Sequence, residues 1–260
     1  MIWVAVGLAV AAAVAAWTAH QAREERRRLV GNETLTAAQL RELHAAAGEA
    51  AGPDAFREPV ELKGRAAAHV DGLLTSELTS TPCVWYRQKV TRKYEEVRRD
   101  SDGNRRVEQR EEVMTDHHSD KAFFVVDETG RIPVVPDKSV QGARKVLSEF
   151  RQAEGGGGSS RLTFGSFSLD LPSGNRGGTL GYEYEEWVLP EGAQLFVCGE
   201  AVDRGGRLSV RKPQSGKLVL TTRTEEELVE GAEKRFRWAA LGGIAAAVGA
   251  VVALVVALAA

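Results

Sequence analysis

Cysteine is nearly absent from this 260-residue sequence: only Cys83 and Cys198 occur. A RING, a zinc ribbon or an iron–sulfur cluster needs at least four Cys or His ligands in paired spacing, so none can be assembled from these cysteines. A small disulfide-stapled module is excluded on the same count. An excess of one charge is missing too. Lys and Arg total 34 against 36 Asp and Glu, a formal net charge of −2 that supplies no overall pull toward nucleic acid. There is no Walker motif, no glycine-rich dinucleotide fingerprint after a strand and no Gly-x-Ser-x-Gly. Nothing here specifies an enzyme, and no catalytic residue, cofactor-binding residue or metal ligand is assigned.

Charge is also lacking at the two ends. Residues 2–19 and 239–260 contain no charged side chain, although the mean hydropathy of the whole chain, −0.24, is that of an ordinary soluble protein. As helices these runs span roughly 27 and 33 Å, close to the ~30 Å hydrocarbon thickness of a bilayer. They predict one transmembrane helix at each terminus. A secretory signal peptide carries its basic residues before the apolar core; here Arg23, Arg26, Arg27 and Arg28 come after it, which favours an anchor. Lys234, Arg235 and Arg237 precede the second run, so both inner membrane flanks are basic. The positive-inside rule then puts the central domain in the cytoplasm and both termini on the far side. Small residues recur at four-residue spacing, Gly7, Ala11 and Ala15 in one run and Ala239, Gly243 and Ala247 in the other. Such faces permit helix packing in lipid, within one chain or in a homo-oligomer.

Between the anchors, residues 20–58 form a basic juxtamembrane segment and a helix. Thr36 is placed to cap it, Gln39 to complete a capping box, and Leu35 with Leu40 to act as a staple; Gly52-Pro53 ends it. The expected fold is α+β: a β-rich domain, an OB-like, partly open barrel over residues 59–222, with flanking helices. Strands are expected at residues 60–66, 83–90, 122–126, 132–135, 162–171, 181–189, 194–202, 208–210 and 218–222. Asp102-Gly103-Asn104 predicts a turn joining two charged arms, 87–99 and 105–116, into a long exposed hairpin. Residues 139–152 read as a helix with Val140, Ala143, Val146, Leu147 and Phe150 on one side, followed by a flexible Gly/Ser loop at 153–160. A second capping box at 224–227 opens a juxtamembrane helix over 223–238. Val60-x-Leu62-x-Gly64-x-Ala66 and Leu195-x-Val197-x-Gly199-x-Ala201 repeat one pattern, in which a mid-strand glycine marks a bend at a barrel corner.

Each candidate for chemistry has a plainer reading. Cys83 and Cys198 invite a nucleophile reading, but both lie among apolar residues and read as core. His117 and His118 with Asp116 and Asp120 have the types of a metal site yet no second ligand cluster; a solvated loop suffices. Glu183, Glu185, Glu186 and Glu191 include neighbours on the solvent face of a strand opposite Tyr182 and Tyr184. Residues 87–112 contain nine Arg/Lys but also seven Asp/Glu, so cross-strand pairing is the simpler account and nucleic acid is not an expected partner.

The order of motifs carries more. After the first apolar run come Val60-Glu-Leu-Lys-Gly64-Arg, Leu78-Thr-Ser-Thr-Pro82-Cys-Val-Trp-Tyr86 and Phe123-Phe-Val-Val-Asp-Glu-Thr-Gly130. Gly181-Tyr-Glu-Tyr-Glu-Glu-Trp187-Val-Leu-Pro190-Glu-Gly192, Leu195-Phe-Val-Cys-Gly-Glu200-Ala and the second run complete the series. This resembles the GIDE, or "beside a membrane", domain of mitochondrial and chloroplast outer-membrane RING-type E3 ubiquitin ligases and their bacterial relatives. The Arg-over-Lys bias and alanine richness fit a high-GC bacterial source. In the eukaryotic ligases a RING follows the second membrane helix, and these 260 residues hold no RING ligands. The resemblance therefore implies a membrane-anchored domain that binds partner proteins beside the bilayer, as a scaffold or sensor, and not ligase chemistry. A component of a ubiquitin-like conjugation pathway using Cys83 or Cys198 as acceptor thiol is the alternative. Nucleic-acid binding through the hairpin is the third. In the mitochondrial relatives this domain faces the intermembrane space, whereas the basic flanks here predict the cytoplasm.

Overall fold

The computed structural model describes residues 34–222, apart from 100–104, 139, 154–160, 165–166 and 171–177. The predicted membrane helices at 2–19 and 239–260, the basic segment 20–33, the Gly/Ser loop and the helix at 223–238 therefore lie outside the described residues. Among those that are described, no helix is long and apolar enough to cross a membrane.

The chain enters through β1 (Thr34–Leu35), the helix α1 (Ala37–Ala51) and β2 (Arg57–Ala67). A short excursion, β3 (Leu74–Thr75) and β4 (Pro82–Cys83), leads into the long strands β5 (Trp85–Arg99) and β6 (Arg105–His118). Then come β7 (Phe123–Asp127), β8 (Gly130–Val134), β9 (Arg144–Gln152), β10 (Arg161–Phe164) and β11 (Phe167–Asp170). The last strands are β12 (Thr179–Leu189), β13 (Gln194–Arg204), β14 (Arg207–Arg211) and β15 (Val219–Thr221).

Five of them, in the order β2-β7-β8-β14-β13, close back on β2 to form a barrel. Its neighbours are antiparallel except β8 and β14, which meet in parallel at Val134 and Val210. Numbered along the barrel, the order is 1-2-3-5-4, the Greek-key arrangement of an OB-like barrel. The barrel is closed by nine residue pairs between β2 and β13, where a partly open one was expected. Val60, Leu62, Phe123, Val125, Ile132, Val134, Leu195, Val197 and Val210 fill it, and α1 adds Ala37 and fully buried Leu40. At about 1.5–3 kcal/mol for each large apolar side chain removed from water, this interior is the principal source of stability. The capping box forms as predicted: Thr36 Oγ1 accepts from the Gln39 amide at 3.3 Å, and Gln39 Oε1 accepts from the Thr36 amide at 2.8 Å.

A second sheet, β6-β5-β12-β9, is built from two insertions in the barrel. β3–β6 interrupt the first barrel connection and β9–β12 the third. Leu78, Val90, Phe164 and Tyr184 form its own small core. The predicted hairpin is present, paired from Arg87 with His118 to Arg99 with Arg105. The single strand expected at 162–171 is instead the antiparallel pair β10 and β11.

The helix expected at 139–152 is a correction: its larger part is strand β9, paired to β12. The apolar residues that gave a helical period serve two interiors. Val140 belongs to the barrel core while Leu147 packs on the second cluster, and Val146 falls at the pairing irregularity between Glu186 and Trp187. The exposed edge of β12 supplies main-chain partners that an isolated amphipathic helix would lack.

The two echo glycines sit where their strands change partners. β13 pairs with β15 through Cys198 and with β14 from Glu200 onward; Gly199 is between. β2 pairs with β1 through Leu62 and with β7 from Arg65; Gly64 is near that switch. A Cβ on Gly64 would stand 2.5 Å from the Val126 carbonyl oxygen, and one on Gly199 2.7 Å from Leu218 and 2.8 Å from the Arg211 carbonyl oxygen. Gly64→Ala and Gly199→Ala should each destabilise by about 1–3 kcal/mol in denaturant titrations. Gly48→Ala on α1, where an added Cβ meets nothing within 4 Å, should stabilise by roughly 0.5–1 kcal/mol.

Candidate functional site

Strand alternation decides what each polar residue of the second sheet can do. In β12, Tyr182, Tyr184 and Glu186 share the inner face, and Glu183, Glu185 and Trp187 the outer one. Glu186 is fully buried, so its charge must be met inside. Residues 76–81 coil around it: the Leu78 and Thr79 amides donate at 2.8 and 3.0 Å, Ser76 Oγ at 2.9 Å, and the Thr79 hydroxyl also donates. The turn puts Ser80 at φ 55. Four donors on one carboxylate fasten this excursion to the sheet. The sequence reading put only Glu183 and Glu185 on the solvent face and assigned Glu186 to neither; its even spacing from Tyr182 and Tyr184 was the signal for the inner face.

The outer face carries a lattice of opposite charges. Lys145 reaches Glu185 at 2.6 Å, Lys93 meets Glu183 at 2.9 Å and Glu111 at 3.6 Å, and Lys89 lies 3.9 Å from Glu185. Arg87 holds Asp116 through two bonds of 2.7 and 2.8 Å. Trp187 lies between two cations, with Lys145 at 4.9 Å and Arg87 at 5.6 Å from its ring. Glu183 and Glu185 thus stand on the solvent face as expected, and their partners are lysines, not a reacting group. Glu191 accepts from the Ala68 amide at 3.1 Å and holds the end of β2.

Cys83 is buried at 0% exposure, and burial together with the nearby Glu186 charge pushes its thiol up to about 11. At neutral pH it stays protonated, the opposite of a thiol poised for attack. Cys198, half-buried in β13, is also outside any disulfide. His117 and His118 are consecutive in strand β6, not in a loop, with ring centroids 6.4 Å apart. No cluster of three or more His, Cys, Asp or Glu able to hold a metal occurs among the described residues. Glu77 accepts from the Tyr86 hydroxyl at 2.9 Å and from Gln88 Nε2, and burial with the Glu77 carboxylate raises the Tyr86 pKa.

A family model described as "GIDE: E3 Ubiquitin ligase" matches residues 93–256, more than half of the chain. The chain belongs to the GIDE family. No curated protein and no solved structure matches it. The GIDE motif block now has a physical reading. Val188 and Leu189 are fully buried, Gly192 at φ +78 donates its amide to the Ala66 carbonyl at 2.7 Å, and Glu200 pairs with Arg57 at 2.5 Å. In this GIDE domain the Trp-Val-Leu-Pro-x-Gly segment joins the second sheet to the barrel, and the Gly-Glu-Ala segment lies in the β2–β13 seam of the barrel itself.

The N-terminus of α1 is clamped to the β7–β8 turn. The Ala37 amide donates to Asp127 Oδ2 at 2.7 Å, the Ala38 amide to Thr129 Oγ1 at 3.0 Å, and Arg41 to the Thr129 carbonyl at 2.8 Å. Midway along the helix, His44 Nε2 meets Asp203 at 3.1 Å. Burial opposes ionisation of Asp127, but the Thr129 hydroxyl and the amides of Ala37, Thr129 and Gly130 outweigh it and hold its pKa below the ordinary value. A depressed folded-state pKa means that the stability is present above the unfolded value near pH 4 and lost as pH falls through the folded one. Asp127→Asn should therefore cost about 0.5–1 kcal/mol at neutral pH, allowing for its solvent contact. Thermal melts of the two proteins should converge in acid.

Proposed function

We propose that this chain is a membrane-anchored GIDE domain that docks partner proteins beside the bilayer and performs no group transfer with the residues described. One observation carries the docking half: β5 and β6 outrun their sheet. The strand pairing of β12 with β5 ends at Tyr94, the Glu95 amide adds one bond to the Gly178 carbonyl at 2.7 Å, and among the described residues Glu96–Arg99 pair only with Arg105–Glu108. Val97 and Val107 face one another on this arm at 49% and 53% exposure, and neither core includes any residue of it. A two-stranded ribbon gains little from folding by itself, so its length is explained by reach toward a partner. The sheet face beside it is electrically self-satisfied, which suits a platform that must stay soluble beside a charged surface.

The anchoring half is supported by the uncharged runs at 2–19 and 239–260, and their basic inner flanks favour the cytoplasmic side. Ligase activity by resemblance would need a RING, whose ligands these residues do not supply. The buried, protonated Cys83 argues against an acceptor thiol at that position.

Replacing residues 95–109 by an Asn-Gly turn in the full chain tests the docking reading. The shortened protein should stay in carbonate-washed membranes and keep its melting temperature within a few degrees. Its co-purified proteins, quantified after crosslinking in membranes, should lose a defined subset relative to the unaltered chain. An unchanged set would contradict docking through the arm, and extraction of the full chain by carbonate would contradict anchoring.

A further inference from the structure

We propose a second, lipid-facing site: the turn at residues 69–73 inserts its two aliphatic side chains into the surface of the phospholipid bilayer to which the chain is anchored. The proposal rests on the anchored reading above. Val70 is 71% exposed, the most exposed large hydrophobic residue among those described, and Leu73 is 46% exposed. They are carried on a stiff support. The His69 ring stacks on Phe124 with centroids 5.4 Å apart, and Arg131 lies 4.6 Å from the same ring. The Gly72 amide donates to the His69 carbonyl at 2.9 Å with Gly72 at φ +90, and Glu191 holds the Ala68 amide below. A backbone so fixed does not fold Val70 and Leu73 inward; it holds them out in water, where they gain nothing unless something apolar covers them.

Three observations favour lipid as that cover. Two side chains on one turn are far too small for a protein interface, which needs about 800 Å² per partner, whereas a bilayer needs no complementary shape. Asp71, between them and 3.5 Å from His69, limits the insertion to the headgroup boundary, while Arg131, on the same Phe124 ring that His69 stacks against, puts a cation beside the turn and suits phosphate. The topology also aims the C-terminal exit of the barrel there. β15 is antiparallel to β13, which is antiparallel to β2, so β15 runs with β2, Thr221 lying level with Lys63. Thr222 thus leaves the barrel toward the rim from which the 69–73 turn rises. Residues 223–238 then lead to the uncharged run at 239.

The test uses the full chain with Cys198→Ser, Cys83 remaining buried, and a single Val70→Cys or Leu73→Cys carrying a nitrobenzoxadiazole fluorophore. The protein is reconstituted into phosphatidylcholine vesicles with a minority of phosphatidylglycerol. At both positions emission should rise severalfold, shift to the blue and be quenched by lipids bearing a doxyl group near the headgroup. The same probe at Val113, exposed on the second sheet, should stay in water and unquenched. Because both tip residues are exposed, Val70→Asp with Leu73→Asp should leave the melting temperature unchanged. Probes at 70 and 73 that stay unquenched on a chain that co-floats with the vesicles would overturn the site and leave the anchoring intact. A chain that fails to co-float would overturn both.

Discussion

The pairing of β2 with β13 is the constraint on which everything else depends. Residues 57–65 meet residues 194–202 in an unbroken antiparallel register, joining parts of the chain far apart in sequence. Loop closure on that scale is entropically expensive, and the barrel core of Val60, Leu62, Leu195 and Val197 compensates for it. Once the seam exists, β1 and β7 add to the free side of β2, and β14 and β15 to the free side of β13. Gly64 and Gly199 are the relief points that let each strand change neighbours. The near-repetition of one sequence pattern in these strands reflects the matched task that each performs on its side of the seam.

From that seam the second sheet follows as an outgrowth, and side chains of types that elsewhere do chemistry are used to attach it. Glu186 gathers the 76–81 excursion around its carboxylate, Glu191 fixes the end of β2, and Trp187 is held between Arg87 and Lys145. The motif by which GIDE domains are recognised is therefore a structural junction. Among the described residues, the ribbon arm past Tyr94 and the tip at Val70 and Leu73 project beyond the packed layers. Those two projections are suited to a protein partner and to a lipid surface, respectively, which is the division of labour that a membrane-proximal docking module needs.

Much of this architecture was legible in local signals. Thr36 and Gln39 announced the helix start, the charged arms announced the hairpin, and the bend glycines pointed to barrel corners. What was hidden had a physical cause in each case. Closure of the barrel depends on partners that no local window contains. β9 was disguised because Val140 and Leu147 serve different cores yet fall at helical spacing. Glu186 was left without a face because it sits in an acidic run, although residue parity put it with the buried tyrosines. The exposed tip at 69–73 carried no periodic signal at all, since a turn of five residues has no face to display.

The central claim is that the residues of this domain serve as a docking platform and transfer nothing themselves. It is tested most directly by following ubiquitin release from E2 thioesters in the presence of the full 260-residue chain in vesicles. The account predicts discharge at the rate of the E2 alone and no reducible adduct on Cys83 or Cys198. Accelerated discharge, or a thioester on either cysteine, would contradict it.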